Sequence, residues 1–148
     1  MSDVPHIDQV KAQNAQFHLY ERAKHVFGEA KRVYDYKETC DADGMDDEER
    51  IVKLGSLMDE SHASCDALYD CSSVNLNELT GIAKAAGALG SRLTGAGWGG
   101  CCVSLVRKDQ VEDFITAVME YYTKEREPGK QLWVTDDLER YIFGTAIG

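Results

Sequence analysis

From about Val10 to Tyr36, apolar or small residues recur at Phe17, Tyr20, Ala23, Phe27, Ala30 and Tyr34. These steps of three and four put them on one face of a helix, so the pattern predicts a long amphipathic helix. The stretch "CDADGMDDEER" then breaks the period with charge and a glycine. It reads as an exposed acidic loop whose last acids favour the positive end of the next helix. Asp41 and Asp43 raise calcium, but an EF-hand loop needs its glycine at the sixth position and Gly44 stands at the fourth. A solvated loop is the expectation.

The second helix aligns Ile51, Leu54, Met58, Ser61, Cys65 and Leu68 on one seam. Ser61 therefore falls at an interior position and needs a partner. Its hydroxyl either bonds back to the carbonyl one turn earlier, near Leu57, or serves a ligand, and the back-bond is preferred. His62 and Cys65 lie three apart in "ESHASC", which begins a metal site without completing one, so a structural role is preferred for both.

At "NLNE", Asn75 followed three residues later by Glu78 forms an Asn version of the capping box. The third helix is expected to run through Leu79, Ile82 and Ala86 and to stop near Gly87 or Gly90. The β-branched and apolar run "CCVSLV" predicts a strand over Cys101 to Val106. "DQVEDFITAVMEYYTKE" predicts a helix with Val111, Phe114, Ile115, Val118 and Tyr122 on one face. Pro128-Gly129 breaks the chain, and "QLWVT" and "RYIFGTAI" are the last strand candidates. Helices first and a small sheet later make an α+β protein, with helices packed on one face of a small antiparallel sheet.

The 148 residues, 43% of them hydrophobic, suit one domain with a real core. A formal charge of -10, with 16 Lys and Arg scattered along the chain, argues against a nucleic-acid partner, because phosphate binding needs a clustered basic face. Cys40, Cys65, Cys71, Cys101 and Cys102 show no C-x-x-C spacing, so reduced, buried thiols are expected rather than a disulfide framework or a metal site. The N-terminus "MSDVPHIDQVKAQ" has no apolar core of a leader, and no window reaches the ~20 apolar residues of a membrane span. A soluble, unexported, cytoplasmic protein with no membrane partner is expected.

"TGAGWGG", Thr94 to Gly100, satisfies the G-x-G-x-x-G pattern. A dinucleotide fingerprint follows a strand and opens a helix whose N-terminus holds the pyrophosphate. Here the loop is expected to follow the helix around "GIAKAAG" and to open a strand, which removes that basis. The lysine, H-R-D and D-F-G that would accompany a protein-kinase loop are not in the sequence. Gly95, Gly97, Gly99 and Gly100 lack Cβ atoms, so the loop admits either an anion or a neighbouring loop at close range, or simply makes a tight turn into the strand.

"GSRLTGAGWGGCCVSLV", Gly90 to Val106, resembles the third conserved motif of the GHMP small-molecule kinases in its galactokinase form. The upstream "LGSLMDESHASCDALYDCSSVNL" resembles the stretch preceding that motif in eukaryotic galactokinases and N-acetylgalactosamine kinases. The resemblance runs from about Leu19 to Val106. Trp98, and Cys71 after "LYD", lean toward the N-acetylgalactosamine kinase and fungal galactokinase branch. The family usually has Pro and Glu at the positions of Val74 and Asn75, and Asp at Asn77. Its sugar signature G-R-x-N-L-I-G-E-H, its phosphate loop G-L-S-S-S-A and the region of its catalytic Asp and Arg are not among these residues.

The resemblance implies a ferredoxin-like GHMP kinase C-terminal domain over residues 1–148, without the N-terminal kinase lobe. The intact protein would transfer the γ-phosphoryl group of ATP to the anomeric hydroxyl of galactose or N-acetylgalactosamine. It would use ATP and magnesium, with neither expected on the isolated chain, which would carry no catalytic residue and no activity. Gly95, Ala96, Gly97, Trp98, Gly99 and Gly100 would form the wall against which the other lobe's phosphate loop and the substrates come close. Valine at Gly97 is accordingly expected to impair the use of ATP and to leave the lobe folded. Ser91 and Arg92 flank the wall, and Arg92 either reaches a phosphate or, as preferred, pairs with a carboxylate across the lobe interface. A non-catalytic galactose sensor on the same scaffold is the alternative, and a free-standing binding module is a third class.

Overall fold

A computed structural model of the chain describes residues 17–124 and 142–145. In order along the chain come α1 (Leu19–Asp41), α2 (Asp47–Ser64) with a π-helical turn (Cys65–Tyr69), α3 (Val74–Ala85), β1 (Gly90–Thr94), β2 (Cys101–Leu105), a 3-10 turn (Lys108–Gln110) and α4 (Val111–Lys124). β1 and β2 pair antiparallel, Gly90 opposite Leu105 and Thr94 opposite Cys101. α2 packs on α1 and β1, while α3 packs on both strands and on α4. The expected α+β class is what the described residues form.

The boundaries follow from local chemistry. Asp46 caps α2, accepting the N–H groups of Glu48 and Glu49 at 3.0 and 3.3 Å, and three acids in the first turn favour the dipole there. α3 starts earlier than the Asn75 box predicts. Ser73 is its cap and accepts the N–H of Leu76 at 3.3 Å, because an extended Ser73 can aim its oxygen back where Asn75, already helical, cannot. The far end closes near Gly87, as expected, with Ala88 N–H on the Ala83 carbonyl at 3.0 Å and Gly87 at positive φ.

The acidic loop between α1 and α2 is organised by one arginine. Arg50 donates to the carbonyls of Thr39 and Cys40 at 2.7 Å and of Ala42 at 2.8 Å. Those are carbonyls that the end of a helix leaves without intrahelical donors.

The strand pattern needs correction. β1, "GSRLT", has little β-branched or apolar character, yet it is a strand, so the glycine loop follows a strand and not the third helix. It joins two antiparallel strands and still opens no helix. "QLWVT" lies outside the described residues, and the described part of "RYIFGTAI", residues 142–145, carries no strand.

The largest departure concerns α1. Phe17, Tyr20, Phe27 and Tyr34, on the face expected from the periodicity, are 63% to 75% exposed. The inward side is polar. His25 is buried, bonds Ser64 Oγ through Nδ1 at 2.9 Å and stacks on Tyr69, and Thr39 is almost fully enclosed.

Candidate functional site

The site is built outward from a small core of Cys65, Cys71, Leu76 and Leu93, with Cys102 packed against it. α2 approaches β1 closely enough for its side chains to act as a substitute neighbouring strand. The backbone N–H groups of Ser91 and Leu93, two apart and so facing the same way, are accepted by Asp59 Oδ1 at 2.8 Å and His62 Nδ1 at 3.2 Å.

Because His62 Nδ1 accepts, its proton sits on Nε2. That nitrogen reaches Asn77 Oδ1 and Thr80 Oγ1, each at 3.1 Å. Asn77 in turn donates to Asp66 Oδ1 at 3.1 Å. Asn77, where the family usually has Asp, thus ties α3 to α2 with its amide. Both nitrogens of His62 are engaged by protein groups, and no group of three His, Cys, Asp or Glu side chains suited to a metal occurs among the described residues.

Ser61 sits inside, as its place on the seam implies, but its partner is not the Leu57 carbonyl. Its hydroxyl donates to Glu29 Oε2 at 2.7 Å, reaching across to α1, where an acceptor stronger than a carbonyl stands. Glu29 is also held by Arg32 at 2.5 Å and lies 3.7 Å from Arg92 Nη1. Arg92 thus has a carboxylate neighbour within this lobe, on α1. Ser91 is 2% exposed and shares a hydrogen bond of 2.9 Å with Ser104 Oγ. It is buried where β1 pairs with β2.

The glycine loop is clamped at its middle and open at its ends. Trp98 N–H donates to the Cys71 carbonyl at 2.6 Å, and its indole Nε1 donates to the Asp70 carbonyl at 2.9 Å. Trp98 and Asp70 are the described non-glycine residues at positive φ, 55° and 61°, so two strained turns are locked together. A Cβ on Gly97 would lie 2.1 Å from the Cys71 carbonyl oxygen. Valine there would crowd the Cys71 carbonyl, just past the π-turn, in addition to the strain of a positive φ. At Gly95, Gly99 and Gly100, also at positive φ, a Cβ would meet nothing within 4 Å.

Thiol chemistry in this core is suppressed. Burial first, and then the neighbouring Cys71, push the Cys65 thiol up to about 11. Burial and then Cys101 do the same to Cys102.

Residues 46–124 match the family "GHMP kinases C terminal". The chain belongs to this family. It is 43% identical over 135 residues to a galactokinase of Dictyostelium discoideum, covering 82% of this chain and 27% of that protein. It is 51% identical over 89 residues to a galactokinase of Saccharomyces cerevisiae, covering 60% and 17%. Its fold matches a crystal structure of Lactococcus lactis galactokinase complexed with galactose, with a TM-score of 0.59 and 32% identity over 79% of this chain and 29% of that one. The chain thus spans about a quarter of the length of such relatives.

Sequence reasoning located the loop and its glycines. It did not single out Asp59 or Glu29 and noted Asn77 only as a departure from the family pattern, because their roles depend on neighbours elsewhere in the chain. The acceptor types at Asp59 and His62, three apart on α2, were the available signal.

Proposed function

We propose that the chain forms the C-terminal lobe of a sugar kinase that transfers the γ-phosphoryl group of ATP to the anomeric hydroxyl of galactose or N-acetylgalactosamine, with magnesium as the counter-ion. The observation that carries this reading is the division of labour in the loop: Trp98 and Gly97 are seated on Asp70 and Cys71, just past the π-turn, while Gly95, Gly99 and Gly100 face open space. Phosphoryl transfer depends on positioning and charge neutralisation more than on covalent chemistry. A pinned backbone with outer glycines free of side chains suits the close approach of phosphates, or of the loop that binds them.

In this reading the chain's residues hold and shape, and the reacting groups come from an N-terminal lobe. Asp59 and His62 fix β1, Trp98 fixes the loop, and the Glu29–Arg92 pair braces the strand from α1. ATP bound with magnesium supplies the transferable phosphoryl group and the charge that these positions must accommodate. The isolated chain turns over neither sugar.

A chimera in which this chain replaces the matching segment of the Dictyostelium galactokinase tests the reading. ADP release with galactose is the expected result, because this chain would then complete a working kinase. A folded chimera that binds galactose without releasing ADP would overturn the reading of this chain as a working kinase lobe. Turnover by the 148-residue chain alone would overturn the division of roles.

A further inference from the structure

The two α2 side chains that fix β1 are themselves held from behind, by α3. Along α2 and its π-turn, Asp59, His62 and Asp66 follow one another at steps of three and four, and along α3 so do Asn77, Thr80 and Lys84, so each set lines one face of its helix. The two faces meet in rungs. Lys84 Nζ donates to Asp59 Oδ2 at 2.7 Å, while Oδ1 of the same carboxylate takes the Ser91 N–H at 2.8 Å. Asn77 and Thr80 both reach His62 Nε2 at 3.1 Å, while Nδ1 takes the Leu93 N–H at 3.2 Å.

The second rung runs in one direction. A backbone N–H can only donate, so the ring proton of His62 lies on Nε2 and needs an acceptor there. Thr80 donates its hydroxyl proton to the carbonyl of Leu76 or of Asn77, at 3.1 and 3.0 Å, which leaves a lone pair for the ring. Asn77 gives its amide N–H to Asp66 and receives the Ser72 hydroxyl on Oδ1 at 2.6 Å, which turns that oxygen toward the ring. Both groups at Nε2 are thus set to accept.

We infer that Asn77, Thr80 and Lys84 are positioning residues for the glycine loop: α3 holds Asp59 and His62, these fix β1, and β1 ends at Thr94 where the loop begins. The loop then has two supports. Trp98 seats its middle on Asp70 and Cys71, and the relay through His62 sets its entry, since Leu93 stands two residues before Gly95. Leu93 is closer to the loop than Ser91 is, so Asn77 and Thr80 should govern the loop more strongly than Lys84. The kinetic consequence rests on the proposed function; the relay itself does not.

Amide hydrogen exchange of the 148-residue chain, read residue by residue by NMR, tests the relay. Lys84→Met should speed exchange at Ser91 about tenfold or more and leave Leu93 as it was, because each N–H is protected by its own acceptor. Asn77→Leu/Thr80→Val should do the reverse. Asn77→Asp/Thr80→Val, which keeps an acceptor against Nε2, should restore slow exchange at Leu93. Thr80→Val alone should act in the same direction to a smaller extent, so the test stands where the double variant unfolds. A general loosening of the fold would speed both amides together, and that result, or no change at either, would overturn the inference.

Kinetics of the Dictyostelium chimera read the consequence. Asn77→Leu/Thr80→Val should lower kcat/KM for ATP about tenfold and leave the KM for galactose unchanged, since a misplacement of about 1 Å costs up to roughly 10²-fold. Lys84→Met should lower it less. Unchanged ATP kinetics beside a released Leu93 would overturn the positioning role and leave the rungs as packing. An unsubstituted chimera that releases no ADP would sink the proposed function instead, and separate release of the two amides would still uphold the relay from α3 to β1.

Discussion

Gly55 on α2 and Gly90 at the start of β1 meet backbone to backbone. A Cβ on Gly90 would lie 2.2 Å from the Gly55 carbonyl oxygen, and one on Gly55 would lie 2.3 Å from the Leu89 carbonyl oxygen. This close crossing brings Asp59 and His62, one and two turns along α2, within reach of the β1 backbone. Neither glycine has positive φ, so what the positions require is the missing side chain, not an unusual backbone conformation.

Gly55→Ala and Gly90→Ala should each destabilise the chain by about 1–3 kcal/mol or more, the range for forcing atoms into a filled contact. Urea unfolding of the 148-residue chain measures it. Gly81→Ala, where a Cβ meets nothing within 4 Å, is the control and should be neutral or stabilising within a helix.

The loop glycines should divide into two classes. Gly97→Ala should lower the melting temperature of the isolated chain more than Gly95→Ala does, because only the first meets the Cys71 carbonyl in addition to its positive φ. In the galactokinase chimera, Gly95→Ala should leave most of the stability and reduce kcat/KM for ATP. Equal melting losses at the two positions would mean that the seat on Cys71 contributes nothing.

The start of α3 can be read from two serial substitutions. Ser73→Ala should cost about 1 kcal/mol, the usual value of a lost N-cap, whereas Asn75→Ala should change stability little. The reverse order in urea titrations would restore the cap to Asn75.

Alkaline pH should weaken the fold through one buried and one half-buried thiol. Both Cys65 and Cys102 are raised from an ordinary 9.0 to about 11, so the unfolded chain loses those protons first and binds fewer of them in between. The stability that the thiols contribute is whole below pH 9 and is lost as pH rises through 9 to 11. Unfolding free energy measured from pH 8 upward should fall, and Cys102→Ala should remove part of the slope; an unchanged slope would exclude Cys102 as a source.

Arg50 should be irreplaceable by lysine. Its guanidinium serves the carbonyls of Thr39, Cys40 and Ala42 at once, a fan that a single ammonium cannot reproduce. Arg50→Lys and Arg50→Ala should therefore both loosen the end of α1, read as faster amide exchange over residues 36–42.

Periodicity and composition determined much of this protein. The 3.6-residue repeats of α2 and α4, the β-branched run of β2 and the glycine cluster are local patterns, and each carries its own signal. They were legible because the same residues that form the element also bury it: Leu54 and Val118 lie inside where the spacing puts them. The family resemblance rested on the same contiguous stretches.

Tertiary structure decided the rest, wherever burial or pairing depends on a residue far along the chain. β1 is a strand because β2 pairs with it and α2 side chains accept its outer N–H groups, not because "GSRLT" prefers extended backbone. Ser61 turned to Glu29, 32 residues away, because a carboxylate was within reach on α1. The orientation of α1 is the clearest case. Its apolar period identified a helix correctly, but periodicity cannot say which body an apolar face will meet. Here the polar face carries the hydrogen bonds that seat the helix on α2, and the apolar face is left to the surface.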